Sequence, residues 1–237
     1  MRSIAATPTA HLSSSGLPTL SSDQVRQVDS LAQERFGVTV DWLMEAAGWQ
    51  VAGFCDRPTT VVCGVGNNAG DGLAAARHLH RWGKLVKVCC IDASRLRGAA
   101  ARELDALQLL GVEVEDELAV AGADLVVDAI FGTGLSRAPE GRFAEWIRAV
   151  NASGQRVVAV DVPSGLDADT GVAYAPTVRA DVTVTLGLPK PGLLTADGPR
   201  LAGEVWAVDI GVPFEAYAAA GVEVPSGLYS SGARLRL

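Results

Sequence analysis

From Thr59 to Val208 the chain alternates short runs of β-branched and apolar residues with longer segments of helical periodicity, and this alternation limits the available folds most. The strand-like runs are Thr60 to Cys63, Val86 to Ile91, Val112 to Val114, Asp124 to Ile130, Val157 to Val160, Val182 to Thr185 and Glu204 to Val208. Between them the spacing predicts one helix ending at Arg81 and others over about Gly98 to Leu110 and Gly141 to Val150. Runs that are apolar throughout suit strands buried on both faces, which implies a mostly parallel sheet covered by helices on each side. The expected class is α/β, a three-layer α/β/α sandwich.

The turn after the first strand is the most distinctive stretch. Thr59 to Gly72 reads TTVVCGVGNNAGDG, an apolar run that breaks into glycines and asparagines and then enters a helix opening near Gly70 or Asp71. Gly64, Gly66 and Ala69 fit the G-x-G-x-x-G/A dinucleotide fingerprint, with Asp92 ending the next strand. Asp71 argues the other way, because a carboxylate in the first helical turn would repel a pyrophosphate there. Asn67 and Asn68 add amide donors and acceptors at the strand mouth, more than a simple reversal needs.

Two further turns follow strands in the same manner: DAIFGTGLSRAPEG from Asp128, and VDVPSGLDADTG from Val160. Ligands of open parallel sheets bind at the carboxyl ends of strands, so the three turns are expected to gather on one edge. Each brings an oxygen-bearing side chain: Asn68, Asp128, and the pair Asp161 and Ser164. Asp128 could equally cap its turn and Ser164 satisfy a backbone amide. If Asn68, Asp128 and Ser164 bind a metal, oxygen-only donors suit a hard cation, and zinc is disfavoured without His or Cys. Of the three histidines, His11 lies near the N-terminus and His78 and His80 point to different faces of one helix. A catalytic acid or base is therefore sought among the carboxylates, and Asp161, before the rigid Pro163 turn, is best placed.

Met1 to Leu20 is rich in Ser, Thr, Ala and Pro and is expected to be a disordered tail. Ser21 or Ser22 caps a predicted helix from Asp23 to Arg35 that Gly37 ends, and a second helix runs from Val40 to Phe54. Trp42, Glu45 and Trp49 share a stripe on it, either core or a dimer surface. This N-terminal helical extension and the sheet region form one domain over 21–220, and 221–237 has no readable pattern. A net charge of −7 without a basic stripe argues against nucleic-acid binding. Cys55, Cys63, Cys89 and Cys90 lack metal-ligand spacing and suit a reduced, cytoplasmic setting, and no apolar stretch is long enough to span a bilayer.

Together these motifs resemble the NAD(P)H-hydrate epimerase family over about Leu20 to Val212. GVGNNAGDG, DAIFGTGL, VDVPSGLDADTG, LGLPKPGLL and GEVWAVDIGVP carry the resemblance, which is specific only in combination. It implies a Rossmann-like sheet, a homodimer, and interconversion of the R and S forms of NADH or NADPH hydrated at nicotinamide carbon 6. It also implies a potassium ion on the residues matching Asn68, Asp128 and Ser164. Hydrate contacts are implied from Asn67, Asn68, Ala69, Gly70 and Asp71, from Gly132, Thr133, Gly134, Leu135, Ser136, Arg137 and Ala138, and at Asp161. Family members also occur fused to an NAD(P)H-hydrate dehydratase, an implied functional partner. Ala69 stands where the family usually has glycine, and its methyl would crowd the turn if φ is positive there; Ala46 stands where the family usually has asparagine and removes an amide; Lys190 has no assigned role, its simplest reading being an exposed, solvated lysine.

The carbon that inverts carries a hydroxyl and the ring nitrogen, so the nitrogen lone pair can expel the hydroxyl once an acid protonates it. Water then re-adds to the other face of the cation, and Asp161 is the expected acid and base. The rivals are an NAD-dependent oxidoreductase using Gly64, Gly66, Ala69 and Asp92, and a non-catalytic nucleotide-binding or interaction module.

Overall fold

The computed structural model describes residues 10–11 and 16–237. In chain order its elements are β1 (Ala10–His11), α1 (Ser22–Phe36), α2 (Val40–Ala52), β2 (Thr59–Cys63), α3 (Asn67–Arg81), β3 (Leu85–Cys90), α4 (Gly98–Leu109), β4 (Val114–Glu115) and β5 (Leu125–Ala129). There follow α5 (Gly141–Ala152), β6 (Arg156–Val160), β7 (Val182–Leu186), α6 (Pro191–Leu194), α7 (Gly198–Leu201), β8 (Glu204–Val208), α8 (Phe214–Ala219) and β9 (Arg234–Arg236).

The strands form one sheet in the order β1-β9-β8-β7-β6-β5-β2-β3-β4. Every neighbouring pair is parallel except β8 with β9. From β2 the chain steps outward through β3 and β4, then crosses to the other side of β2 and continues through β5, β6, β7 and β8. The order thus reverses between β2 and β5, where a crevice opens at the carboxyl ends of an α/β sheet.

Alternate residues of the central strands feed opposite layers. Val61, Cys63, Val88, Cys90 and Val127 pack under α2, α3 and α4, whereas Val62, Cys89 and Val126 meet Trp146, Ile147 and Val150 of α5. Small residues bring α2 onto α3: a Cβ at Gly48 would stand 2.4 Å from that of Ala74.

α1 begins with a capping box, in which Ser21 Oγ accepts from the Gln24 amide and the Gln24 side chain accepts from the Ser21 amide. Gly37 ends it in the left-handed conformation, φ 71°. Val28 and Ala32 of α1 join Leu188, Ala216 and Tyr217 in one cluster, so the helical extension is packed on the domain.

Three sequence expectations need correcting. Residues 1–9 and 12–15 of the expected tail lie outside the described residues, but the expectation ends too late: Leu20 is buried, and its amide donates to Pro189 O at 2.9 Å. The unread 221–237 segment contains β9, with Leu235 fully buried, a three-residue strand too short for a periodicity to show. Finally, α3 starts at Asn67 rather than at Gly70 or Asp71, because its N-cap is Gly66, which offers no side-chain capping group to read.

Candidate active site

A cavity of about 420 Å³ opens at the carboxyl ends of β2, β5 and β6. Gly66, Asn67, Asn68 and Asp71 from the start of α3 form one wall, and Phe131, Gly132, Thr133, Gly134 and Leu135 after β5 form another. Asp161, Leu186 and Lys190 line it from the β6 and β7 side. Val25, Val28 and Asp29 of α1 and Leu43 and Met44 of α2 close it from outside the sheet.

Asp161 terminates β6 in the left-handed region, φ 68°, a conformation that Asp and Asn tolerate better than most residues. Its amide donates to Val184 O at 2.8 Å, which ties the turn to β7. Its Oδ1 accepts from Lys190 Nζ at 2.5 Å, from the Leu186 amide at 3.1 Å and from Thr185 Oγ1 at 3.3 Å. All three donors converge on Oδ1, and among the described residues Oδ2 has no hydrogen-bond partner. Lys190 is 1% exposed, and its ammonium also donates to Leu186 O at 2.8 Å. The exposed-lysine expectation is therefore wrong. Lys190 directly precedes the first turn of α6, and Pro191 opens that helix where a missing amide costs nothing, so the lysine is held inward over β7. Its position between two prolines was the one available sign of a fixed conformation.

Asp128, wholly buried on β5, is the centre of a second polar group. Ser164 Oγ donates to its Oδ1 at 2.6 Å and the Ser164 amide to its Oδ2 at 2.8 Å. Burial pushes the Asp128 carboxyl up to about 6, against the pull of these hydrogen bonds. Ser164 Oγ in turn accepts from the Phe131 amide at 2.8 Å. Asn68 Nδ2 donates to Phe131 O at 2.9 Å, so Phe131 links all three turns. Among the described residues no cationic side chain pairs with Asp128, and Phe131 O is within hydrogen-bonding distance of both Asn68 Nδ2 and Ser164 Oγ. The oxygen side chains of Asn68, Asp128 and Ser164 fit a hard cation and do not fit zinc. Among the described residues there is no cluster of three His, Cys, Asp or Glu side chains that could hold a metal.

Other candidates fall away from the cavity. Ala69 is fully buried in the core behind the wall, and Gly70 packs against Met44 and Ala100, so neither presents a side chain to the cleft. Ala69 is helical with no positive φ, and its methyl does not crowd the turn. Ser136, Arg137 and Ala138 are exposed and lie beyond the cavity lining, as does the half-buried Ala46. Neither His78 nor His80 reaches it; His78 is packed between Trp49 and Trp82.

Asp71 stands in the second turn of α3, and burial raises its carboxyl well above the ordinary range, with help from the nearby Asp161 and Asp29 charges. Gly64 serves packing, since a Cβ there would lie 2.0 Å from Ile130 O. Asp92 accepts from Ser94 Oγ at 2.6 Å and is not part of this cavity. The oxidoreductase reading therefore has no assembled site. The residues that sequence reasoning missed here are Asp29, Lys190 and Met44.

The model of the YjeF-related protein N-terminus family matches residues 40–192, which contain all three turns. The chain belongs to this family. A family relative named NAD(P)H-hydrate epimerase, from Dehalogenimonas lykanthroporepellens, is 37% identical over 90% of this chain and 90% of its own. Another of that name, from Rhodopirellula baltica, is 37% identical over 84% of this chain and 86% of its own. The bifunctional NAD(P)H-hydrate repair enzyme Nnr of Thermofilum pendens is 42% identical over 80% of this chain, but this chain spans only 39% of its length. Among solved structures, yeast ynu0 superposes with a TM-score of 0.78 at 26% identity, covering 93% of this chain and all of that one.

Proposed function

We propose that this chain is an isomerase that interconverts the R and S hydrates of NADH and NADPH, a repair reaction on damaged nicotinamide nucleotides. Relatives named for that activity match it along nearly their whole length. The observation that carries the reading within the site is Asp161, a carboxylate lining the cavity with one oxygen fixed by three donors and the other without a hydrogen-bond partner among the described residues.

In this reading Asp161 protonates the departing hydroxyl through Oδ2. The nitrogen lone pair closes to C6=N, and the cation that forms sits beside the Asp161 and Asp29 carboxylates, whose field favours positive charge. Lys190 holds Asp161 in its rotamer. The hydrate is contacted by Asn67, Asn68 and Asp71 on one wall and by Gly132, Thr133, Gly134 and Leu135 on the other. A potassium ion on Asn68, Asp128 and Ser164 would offset the buried Asp128 charge and brace the 131–135 loop. Trp42 and Trp49, 65% and 46% exposed, form the face of α2 through which two copies pair. A cytoplasmic setting and an NAD(P)H-hydrate dehydratase as functional partner complete the proposal; among the described residues no helix is long and apolar enough to cross a membrane.

The test is to incubate the protein with pure R hydrate and follow the S form by chromatography. The proposal predicts equilibration far faster than in buffer; equal rates with and without protein refute it.

A further inference from the structure

Inversion at carbon 6 requires oxygen to leave one ring face and to return on the other. Asp161 is poorly suited to reach both. Its backbone is locked at φ 68° and its Oδ1 is pinned by Lys190, the Leu186 amide and Thr185, so its free oxygen looks in one direction. A group on another wall has to meet the other face.

α1 supplies one. Asp29 lies outside the 40–192 span of the family match, on the helix that looked like an extension, yet it lines the same cavity as Asp161. Among the described residues its carboxylate has no hydrogen-bonding or ion-pair partner, in contrast to Asp161, and it lies close enough to Lys190 and Asp161 to interact with their charges. Val28, its neighbour on α1, is buried against the α8 cluster, which fixes the wall.

We propose that Asp29 is the second proton-transfer group of this site, sharing one proton with Asp161 across the nicotinamide ring; the assignment rests on the epimerase reading. In one direction Asp161 gives its proton to the hydroxyl. The C6–O bond breaks with its electron pair leaving in water, and the nitrogen lone pair forms C6=N. A water on the opposite face then donates a lone pair to C6, the π pair returns to nitrogen, and the proton released goes to the Asp29 carboxylate. The reverse reaction exchanges the two roles, and the proton returns between turnovers through water in the cleft.

Burial pushes the Asp29 carboxyl up from 3.8 to about 6, with Asp161 raising it and Lys190 opposing. The other ionisable groups around it are Asp71 on α3, Tyr217 on α8, and Arg26 on its own helix, the last paired with Asp23. Burial, with the Asp161 and Asp29 charges, also raises the Asp71 carboxyl. Asp29, on the α1 wall of the cavity and without a hydrogen-bond or ion-pair partner among the described residues, is the carboxyl assigned to the task.

Because the equilibrium between hydrates is independent of pH, both directions need the same singly protonated pair. Above about pH 6, where Asp29 loses its proton, kcat/KM should fall about tenfold per pH unit in both directions. Asp29→Asn should lower kcat/KM at pH 6 by about 10²-fold and remove that limb. Formate should restore activity to Asp29→Ser, whose shortened side chain leaves room for it. A rate within about twofold of the parent, a lost rate with the limb unchanged, or no rescue by formate each overturns the assignment. Should the variants fail to fold, carboxyl ¹³C NMR of the parent decides: the Asp29 resonance must titrate with the rate limb, and a mismatch overturns the proposal. A parent protein that does not interconvert the hydrates at any pH refutes the epimerase reading itself.

Discussion

Replacing Asp161 by Asn should damage this protein twice, and the two effects are separable. Asn keeps the shape and tolerates φ 68°, so the backbone turn survives. It cannot exchange a proton near neutrality, so the epimerisation rate should fall about 10²-fold or more. It also removes the counter-charge of the Lys190 ammonium, 1% exposed, which is left with neutral acceptors only: the Asn amide oxygen, Leu186 O at 2.8 Å and the long contact to Thr185 Oγ1 at 3.4 Å. Removing one partner of a buried pair typically costs about 3–5 kcal/mol, and the retained carbonyl bond places this case at the lower end, about 3 kcal/mol. Lys190→Met alone should cost less, because Asp161 keeps the Leu186 amide and opens to the cleft. The double variant should recover most of the loss, a coupling of about 2 kcal/mol. Urea denaturation of the four proteins gives the cycle, and chromatography of the hydrates, corrected for uncatalysed epimerisation, gives the rates. A single Asp161→Asn variant within about 0.5 kcal/mol of the parent would refute the stranded charge. Near-parental turnover would remove Asp161 from the chemistry.

Asp29→Asn should stabilise the fold at high pH. The folded carboxyl sits at about 6 against 3.8, so the parent carries a penalty that is full above about pH 6 and gone below about pH 4. Two units correspond to about 3 kcal/mol, reduced to roughly 1–2 by the opening to solvent, and denaturation at pH 8 and pH 4 checks both size and sign. Ala69→Gly should destabilise by about 1 kcal/mol through backbone entropy and leave hydrate affinity unchanged, as denaturation and a binding titration would show. Trp42→Glu should convert a dimer to a monomer in sedimentation at micromolar concentration, while a monomeric parent would refute the α2 interface.

The local character of almost every element was written in the sequence, because strand and helix periodicities and caps depend on near neighbours. Glu204 to Val208 was bounded correctly from its apolar run, and Ser21 and Gly37 marked both ends of α1. The meeting of the three turns was also legible, since parallel strands with helical crossovers place their carboxyl ends on one edge. What the sequence could not supply was which distant side chains share a cavity. Lys190 looked exposed because nothing near it in the chain is acidic; its partner Asp161 lies across β7, and burial follows from that pairing. Asp29 looked like one polar position on an amphipathic helix, and only the docking of α1 against α8 turns it toward the site. Ala69 looked like an obstacle because its φ was unknown, and the helix that begins at Asn67 gives that methyl a place in the core. Periodicity fixes an element and the face it buries, but the chemistry of a residue depends on charge and burial, which are set by partners far away in the chain.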